Sequence, residues 1–207
     1  MKLDSTFAIL LLMTPEVLAV SKSQSTPPPA SLQYRDEVIR NARAEWGMSA
    51  PVADFAAQLQ QESGWSTDAK SPAGAVGMAQ FMPATADWIS HLKPELSANQ
   101  PFNPSWSIRA LVSYDNWLTK RVNAANPCQG MAFTLSAYNG GLGWINRDKK
   151  LATQQGLNPQ YWFGQVETVN AGRSQANWAE NRHYPKNILY NIAPRYLSWG
   201  TSSCVGR

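Results

Sequence analysis

With 207 residues, 43% of them hydrophobic and 15% charged, the chain has the size and composition of one globular domain, which excludes a disordered or fibrous segment. Eighteen Lys and Arg against fourteen Asp and Glu leave a formal charge of +4 with no run of basic residues, so an anionic polymer or surface suits the chain while nucleic acid is not expected. Two Cys and two His, scattered singly, exclude a zinc centre; no metal and no cofactor are expected.

In chain order, Lys2 is followed by the apolar run Phe7 to Met13 and by Val17-Leu-Ala19. This pattern predicts an export signal over residues 1–19, although Asp4 and Glu16 are poor features for one and an ordinary N-terminus is the other reading. The run is too short to span a bilayer, so no stable membrane insertion is expected. Residues 20–31, with Pro27 to Pro29, read as a linker, and a single domain follows over 32–207. Ser31 is expected to cap a helix from Leu32 to Trp46, where Tyr34, Val38, Ala42 and Trp46 recur every four residues.

Pro51 opens the next helix, whose apolar stripe is Val52, Phe55, Ala56 and Leu59. Glu62 falls seven residues after Phe55, on nearly the same face, and Gly64 stops the helix. A carboxylate at that place is either a structural Glu paired or capping a loop, or a general acid whose pKa is raised by burial. Helices are also predicted over Pro83 to Leu92 and from the Asn103-Pro104 cap to about Val122. Asp115 sits within the apolar stripe of the latter, as a second site carboxylate or as a buried, hydrogen-bonded Asp. Another helix covers Met131 to Tyr138 and ends in Asn139-Gly-Gly. Residues 146–170 are ambiguous and read as a loop over a cleft, and 177–197 as one or two closing helices punctuated by Pro185 and Pro194. No strand pattern or repeat is convincing, so the fold is mainly α.

Cys128 and Cys204 make an even count in a chain with an export signal, which predicts a bridge closing a loop of about 76 residues; two buried thiols are the alternative. Nine Trp are many. Aromatic faces suit sugar rings, yet most Trp are core residues. Trp65, just after the Glu62 turn, is the one best placed to meet a ligand.

Four blocks then form a pattern. Glu62-Ser63-Gly64 leads to Ser71-Pro72, Gly74-Ala75, Gly77, Gln80, Met82-Pro83 and Thr85; Ala137-Tyr138-Asn139-Gly140-Gly141 and Glu180-x-Arg182-x-Tyr184 follow. Together, over about 130 residues, they closely resemble the soluble-type lytic transglycosylases, and the resemblance implies a lysozyme-like domain acting on peptidoglycan glycan strands. It implies that Glu62 protonates the leaving oxygen of the muramic acid–glucosamine bond, assisted by the substrate's N-acetyl group. Glu62 then takes a proton from the C6 hydroxyl, which closes on C1 as a 1,6-anhydro end. It further implies substrate-binding roles for Ser71, Gly77, Gln80, Tyr138, Asn139 and Tyr184, with Tyr184 hydrogen-bonding the glutamate. On sequence alone Ser71 reads equally well as a turn serine, Gly74 and Gly77 as turn glycines, and Tyr138 as a core residue. Pro185 stands where the family has Val and leaves the placement of Tyr184 open. Met78-Ala79 replaces the family's commoner Leu-Met pair. An exported, periplasmic monomer is the expectation, with phage lysis, secretion and wall turnover equally compatible. The rival readings are a goose-type lysozyme using Asp68, Asp87 or Asp115 as second carboxylate, and a non-catalytic wall-binding module.

Overall fold

The computed structural model describes residues 26–205; the proposed export signal and residues 20–25 of the proposed linker lie outside the described residues. The α-helices are α1 (Pro29–Leu32), α2 (Arg35–Trp46), α3 (Val52–Ser63), α4 (Pro83–Ser90), α5 (Pro104–Thr119), α6 (Pro127–Gly140), α7 (Leu142–Gln154) and α8 (Gln175–Lys186). A π-helical turn, Asn187–Ile192, and a 3-10 turn, Ala193–Tyr196, continue α8. Among the described residues there is no strand; Lys70 with Val76 and Val76 with Phe81 form isolated antiparallel bridges.

Helix α3 is the centre. Every residue from Val52 to Leu59 is buried, as befits a helix surrounded on all sides. α2, α5 and the two turns after α8 pack around it. Its N-terminus has no side-chain cap. The orphan N–H of Ala53 donates instead to the carbonyl of Thr201 (3.0 Å), and the Ser203 N–H donates to Asp54 Oδ2 (2.8 Å). Gly200 lets this tail come close, since a Cβ there would lie 2.8 Å from that of Val52. At the other end Gly64 takes the left-handed conformation (φ 61°) and its N–H returns to the Gln60 carbonyl.

The expected bridge is present: Cys128 in the first turn of α6 is joined to Cys204 in the same tail, 76 residues away. Loop closure of that length stabilises by roughly 4 kcal/mol. Reduction is therefore expected to lower the unfolding free energy by about that amount, read from urea curves with and without reductant. An unchanged midpoint would mean that the tail needs no cross-link.

Several local expectations change. The helix expected over Leu32 to Trp46 is broken at Gln33 and Tyr34, because Ser31 is buried and donates its hydroxyl to the Pro28 carbonyl (2.6 Å), closing the short α1. The end of the expected linker is thus helical. Of residues 146–170, read as loop, 146–154 belong to helix α7; its buried face comprises Ile145, Asp148 and Ala152, and the central Asp hides the apolar stripe. α6 begins four residues before its predicted start, at Asn126-Pro127, where Asn126 Oδ1 accepts from the Gln129 N–H (3.1 Å). Trp65 is a core residue: it is 3% exposed, its ring packs against Trp199, and its indole N–H donates to Tyr196 (2.8 Å).

Candidate active site

Glu62 stands in the last turn of α3, half-buried, one residue before the helix ends. Its neighbour Ser63 donates its hydroxyl to the Met78 carbonyl (2.8 Å), which ties the helix end to the following loop. That loop is a compact hairpin. Gln80, at positive φ (49°), donates its side-chain amide to the carbonyls of Gly77 (2.8 Å) and Ala69 (3.2 Å). Ser71 Oγ accepts from the Ala75 N–H (2.9 Å), so Ser71 is the turn serine of this hairpin, with its hydroxyl proton uncommitted by that bond. Gly77 is buried, and a Cβ there would meet the Pro101 carbonyl oxygen at 1.7 Å. The fold alone therefore requires glycine at 77, in keeping with its reading as a turn glycine.

The far wall comes from α6. The Tyr138 hydroxyl donates to the Ala79 carbonyl (2.7 Å), and its ring packs on Phe81 and Tyr114. Asn139 donates to Glu180 (3.2 Å) and accepts from Asn181 (3.0 Å), whose amide also reaches the Ser136 carbonyl. α6 and α8 are thereby pinned at the level of the Tyr138-Asn139 block.

Tyr184 is buried on α8 and donates its hydroxyl to Glu62 Oε1. Pro185 does not displace it. It is the second-last residue of α8, and the ladder that it interrupts widens into the π turn beginning at Asn187. Asn187 donates to Gln61 Oε1 (2.6 Å), so one register fixes both residues against the end of α3.

These surroundings set the acidity of Glu62. Burial pushes its carboxyl from 4.5 up to about 8; the Tyr184 hydrogen bond opposes this, and the nearby charge of Glu180 adds to it. Burial also raises Tyr138 and Tyr184 well above 10, with the Glu62 charge acting on both, so both remain neutral donors. Burial thus favours the protonated form of Glu62 at neutral pH, a form able to give a proton and later to take one back.

The other carboxylates differ. Asp68 is exposed and accepts from the Ser66 hydroxyl (2.7 Å), which lowers its pKa. Asp87 is exposed on α4. Asp115 is completely buried on α5, where desolvation above all drives its carboxyl well above the ordinary range; it is a core residue. Behind the site, Asp148 of α7 accepts from both Arg173 (2.7 Å) and Arg182 (2.8 Å) and from the Ala171 N–H. Arg182 also donates to the carbonyls of Glu167 and Val169. This ion triad holds α8, and hence Tyr184, in place. Arg182 stands within a motif block of the sequence, whereas Asp148 is missed there because its segment reads as loop. Among the described residues no cluster of His, Cys, Asp and Glu could hold a metal ion.

Known proteins match the chain in sequence and in fold. The model of the family "Transglycosylase SLT domain" matches residues 38–160, more than half of the chain, although the Glu180 to Tyr184 block lies beyond that match. The membrane-bound lytic murein transglycosylase F of Shewanella pealeana is 37% identical over 109 residues, covering 52% of this chain and 21% of that protein. That of Pasteurella multocida is 31% identical over 156 residues, covering 75% and 28%. The chain thus spans about a fifth to a quarter of the length of these relatives. The fold is also that of the 70-kDa soluble lytic transglycosylase of Escherichia coli, with a TM-score of 0.55 and 24% identity over 84% of this chain and 26% of that one. The lytic transglycosylase Slt of Pseudomonas aeruginosa gives 0.57 and 23% over 83% and 25%. A mainly helical, lysozyme-like chain with Glu62 at the end of its central helix, this protein belongs to the transglycosylase SLT domain family.

Proposed function

We propose that the protein is a peptidoglycan lytic transglycosylase. The observation that carries this is Glu62, a carboxyl at the end of the central helix that accepts the Tyr184 hydroxyl on one oxygen and whose pKa burial lifts to about 8. Glu62 gives its proton to the glycosidic oxygen as the C1–O bond breaks, and the substrate's N-acetyl group supports the positive charge at C1. The resulting carboxylate takes the proton of the C6 hydroxyl, the C6 oxygen bonds to C1, and a 1,6-anhydromuramyl end forms without water. Tyr184 holds the carboxyl in orientation through both steps, while Ser71, Gln80, Tyr138 and Asn139 build the walls that seat the sugars. The Cys128–Cys204 bridge suits an oxidising compartment outside the cytoplasm, where peptidoglycan lies. None of the helices in the described residues is long and apolar enough to cross a membrane. We take the working form to be a monomer.

Hydrolysis by a lysozyme mechanism requires a second carboxylate across the bond. Asp68 is turned into its own loop, and Asp115 is sealed in the core. Glu180, whose charge acts on Glu62, accepts from Asn139 on the α8 side. Mass analysis of digested peptidoglycan is expected to give non-reducing 1,6-anhydromuramyl ends for the wild type, Asp68→Asn and Glu180→Gln alike, with Asp68→Asn keeping most of the activity. Reducing muramic acid ends, abolished by either substitution, would make the protein a lysozyme.

A further inference from the structure

Two buried polar side chains are used neither by the fold nor by the steps above. Gln58 of α3 and Asp115 of α5 are completely buried. Neither carboxyl oxygen of Asp115 and neither amide atom of Gln58 makes a well-formed hydrogen bond. Atoms left in this state cost stability, and native proteins keep few of them. Asp115 shares its helix face with Leu111, Val112 and Leu118, where a leucine would carry no such cost. Asp54, one turn before Gln58, differs: it spends Oδ2 on the Ser203 N–H and so holds the tail.

The place of the pair accounts for it. Asp54, Gln58 and Glu62 follow one another at intervals of four on α3, so they stack along one face. Helical side chains lean toward the N-terminus, which brings Glu62 back over Gln58. Asp115 meets this row from α5. The Gln58 amide is the polar side chain it faces, and the charges of Glu62 and Asp54 act on it. Asp115 in turn acts on Tyr138 of α6, on Tyr184 of α8, the donor to Glu62, and on Tyr114 beside it. Burial above all, then these two carboxyls, keep Asp115 protonated, which makes it a hydrogen-bond donor. Tyr184 serves one oxygen of Glu62. The other gains charge only as the proton leaves for the glycosidic oxygen. A donor that is idle at rest and engaged at that moment favours the transition state over the bound substrate.

We infer that Asp115, acting through Gln58, is a positioning residue for Glu62. The Asp115 O–H donates to Gln58 Oε1, which turns the Gln58 Nε2–H toward the second oxygen of Glu62 as that group becomes a carboxylate. Only hydrogen bonds rearrange; the proton that is transferred is that of Glu62. The inference rests on the reading of Glu62 as the general acid.

Asp115→Leu, Gln58→Met and Asp115→Asn separate this role from a structural one. Leu and Met fill the space without a donor, whereas Asn keeps one for Gln58 Oε1. Because the apolar replacements remove unpaired polar atoms, their urea midpoints are expected at or above that of the wild type. Both are nonetheless expected to lose roughly tenfold in kcat, the worth of one hydrogen bond, with KM on peptidoglycan little changed. NMR of the Glu62 carboxyl carbon is expected to show it titrating about one unit higher in both, since the carboxylate has lost a donor, and the high-pH limb of the rate moves up with it. Asp115→Asn is expected to recover most of what Asp115→Leu loses in kcat and in titration. If Asp115→Leu fails to fold, Gln58→Met carries the same comparison. Wild-type kcat and titration in Gln58→Met, or an Asn variant as impaired as the Leu variant, overturns the inference and leaves Asp115 a core residue only. A wild type that forms no anhydro ends counts against the enzymatic reading instead, and the carboxyl titration still decides this one.

Discussion

Glu62→Gln is expected to lower lytic activity by about 10³–10⁴-fold while the protein still folds, because the substitution keeps the shape and removes the proton that both steps pass back and forth. The Tyr184 hydroxyl can still donate to the Gln carbonyl oxygen, so the site's geometry survives. Activity retained above a tenth of the wild type would require another acid. The pH profile carries the same signature. The first step needs the neutral carboxyl, so the rate is expected to fall as pH rises through about 8, the value to which burial lifts this group. Stability moves with it. The unfolded chain releases this proton near the ordinary 4.5 and the folded one near 8, so between those values the folded state holds more protons and loses stability as pH rises. The Gln variant lacks that loss. Its stability relative to wild type should therefore increase from pH 5 to pH 9, measured by urea unfolding at each. Burial also raises Asp54, to about 6, and raises Asp115, but both are common to the two proteins and largely cancel in the difference.

The largest effect on stability is expected at Asp148→Asn. Arg173 and Arg182 are each 8% exposed and share this one carboxylate. Taking its charge away leaves two guanidiniums desolvated beside each other, a change that costs about 3–5 kcal/mol when one partner of a buried ion pair is removed. Arg182 keeps its carbonyl partners, while Arg173 already has Nε and Nη2 without one. Loss of order should thus begin in the segment around Arg173 and propagate to α8. A shift of the urea midpoint worth less than about 1 kcal/mol would show that the triad contributes little beyond its replacement by neutral hydrogen bonds.

What was legible in the chain was what is local. The glycine stops at Gly64 and Gly141, the Asn-Pro cap of α5 and the apolar stripe of α3 all follow from spacing within a few residues, and the stripe with Gly64 places Glu62 at a helix end. The Tyr184–Glu62 bond came from a pattern of matching blocks, since nothing in the spacing of residues 122 apart says that they meet. What stayed hidden depended on distant partners. α7 was read as loop because the middle of its inner face is an aspartate whose two arginines lie 25 and 34 residues further on. The atom that Gly77 clears belongs to Pro101, a partner that its own turn does not reveal. Trp65 is near Glu62 in sequence, but the backbone has a positive φ at that residue (74°) and the indole lies inward on Tyr196 and Trp199. Pro185 looked disruptive because the rule against proline concerns helix interiors, and here the helix changes its register immediately afterwards.

The way α3 is closed at both ends has a consequence for the order in which the chain becomes competent. Its first turn is completed by the Thr201 carbonyl and its last by Tyr184 and Asn187, all contributed more than 120 residues later. A nascent chain that has delivered Glu62 but not these residues holds an acid on an unfinished helix, with neither its pKa nor its orientation established. Partners this remote in sequence are assembled late, after the loops between them have closed. On the proposed function, the site is thus incomplete until the segment from Tyr184 to Cys204 has docked on α3 and Cys204 has found Cys128.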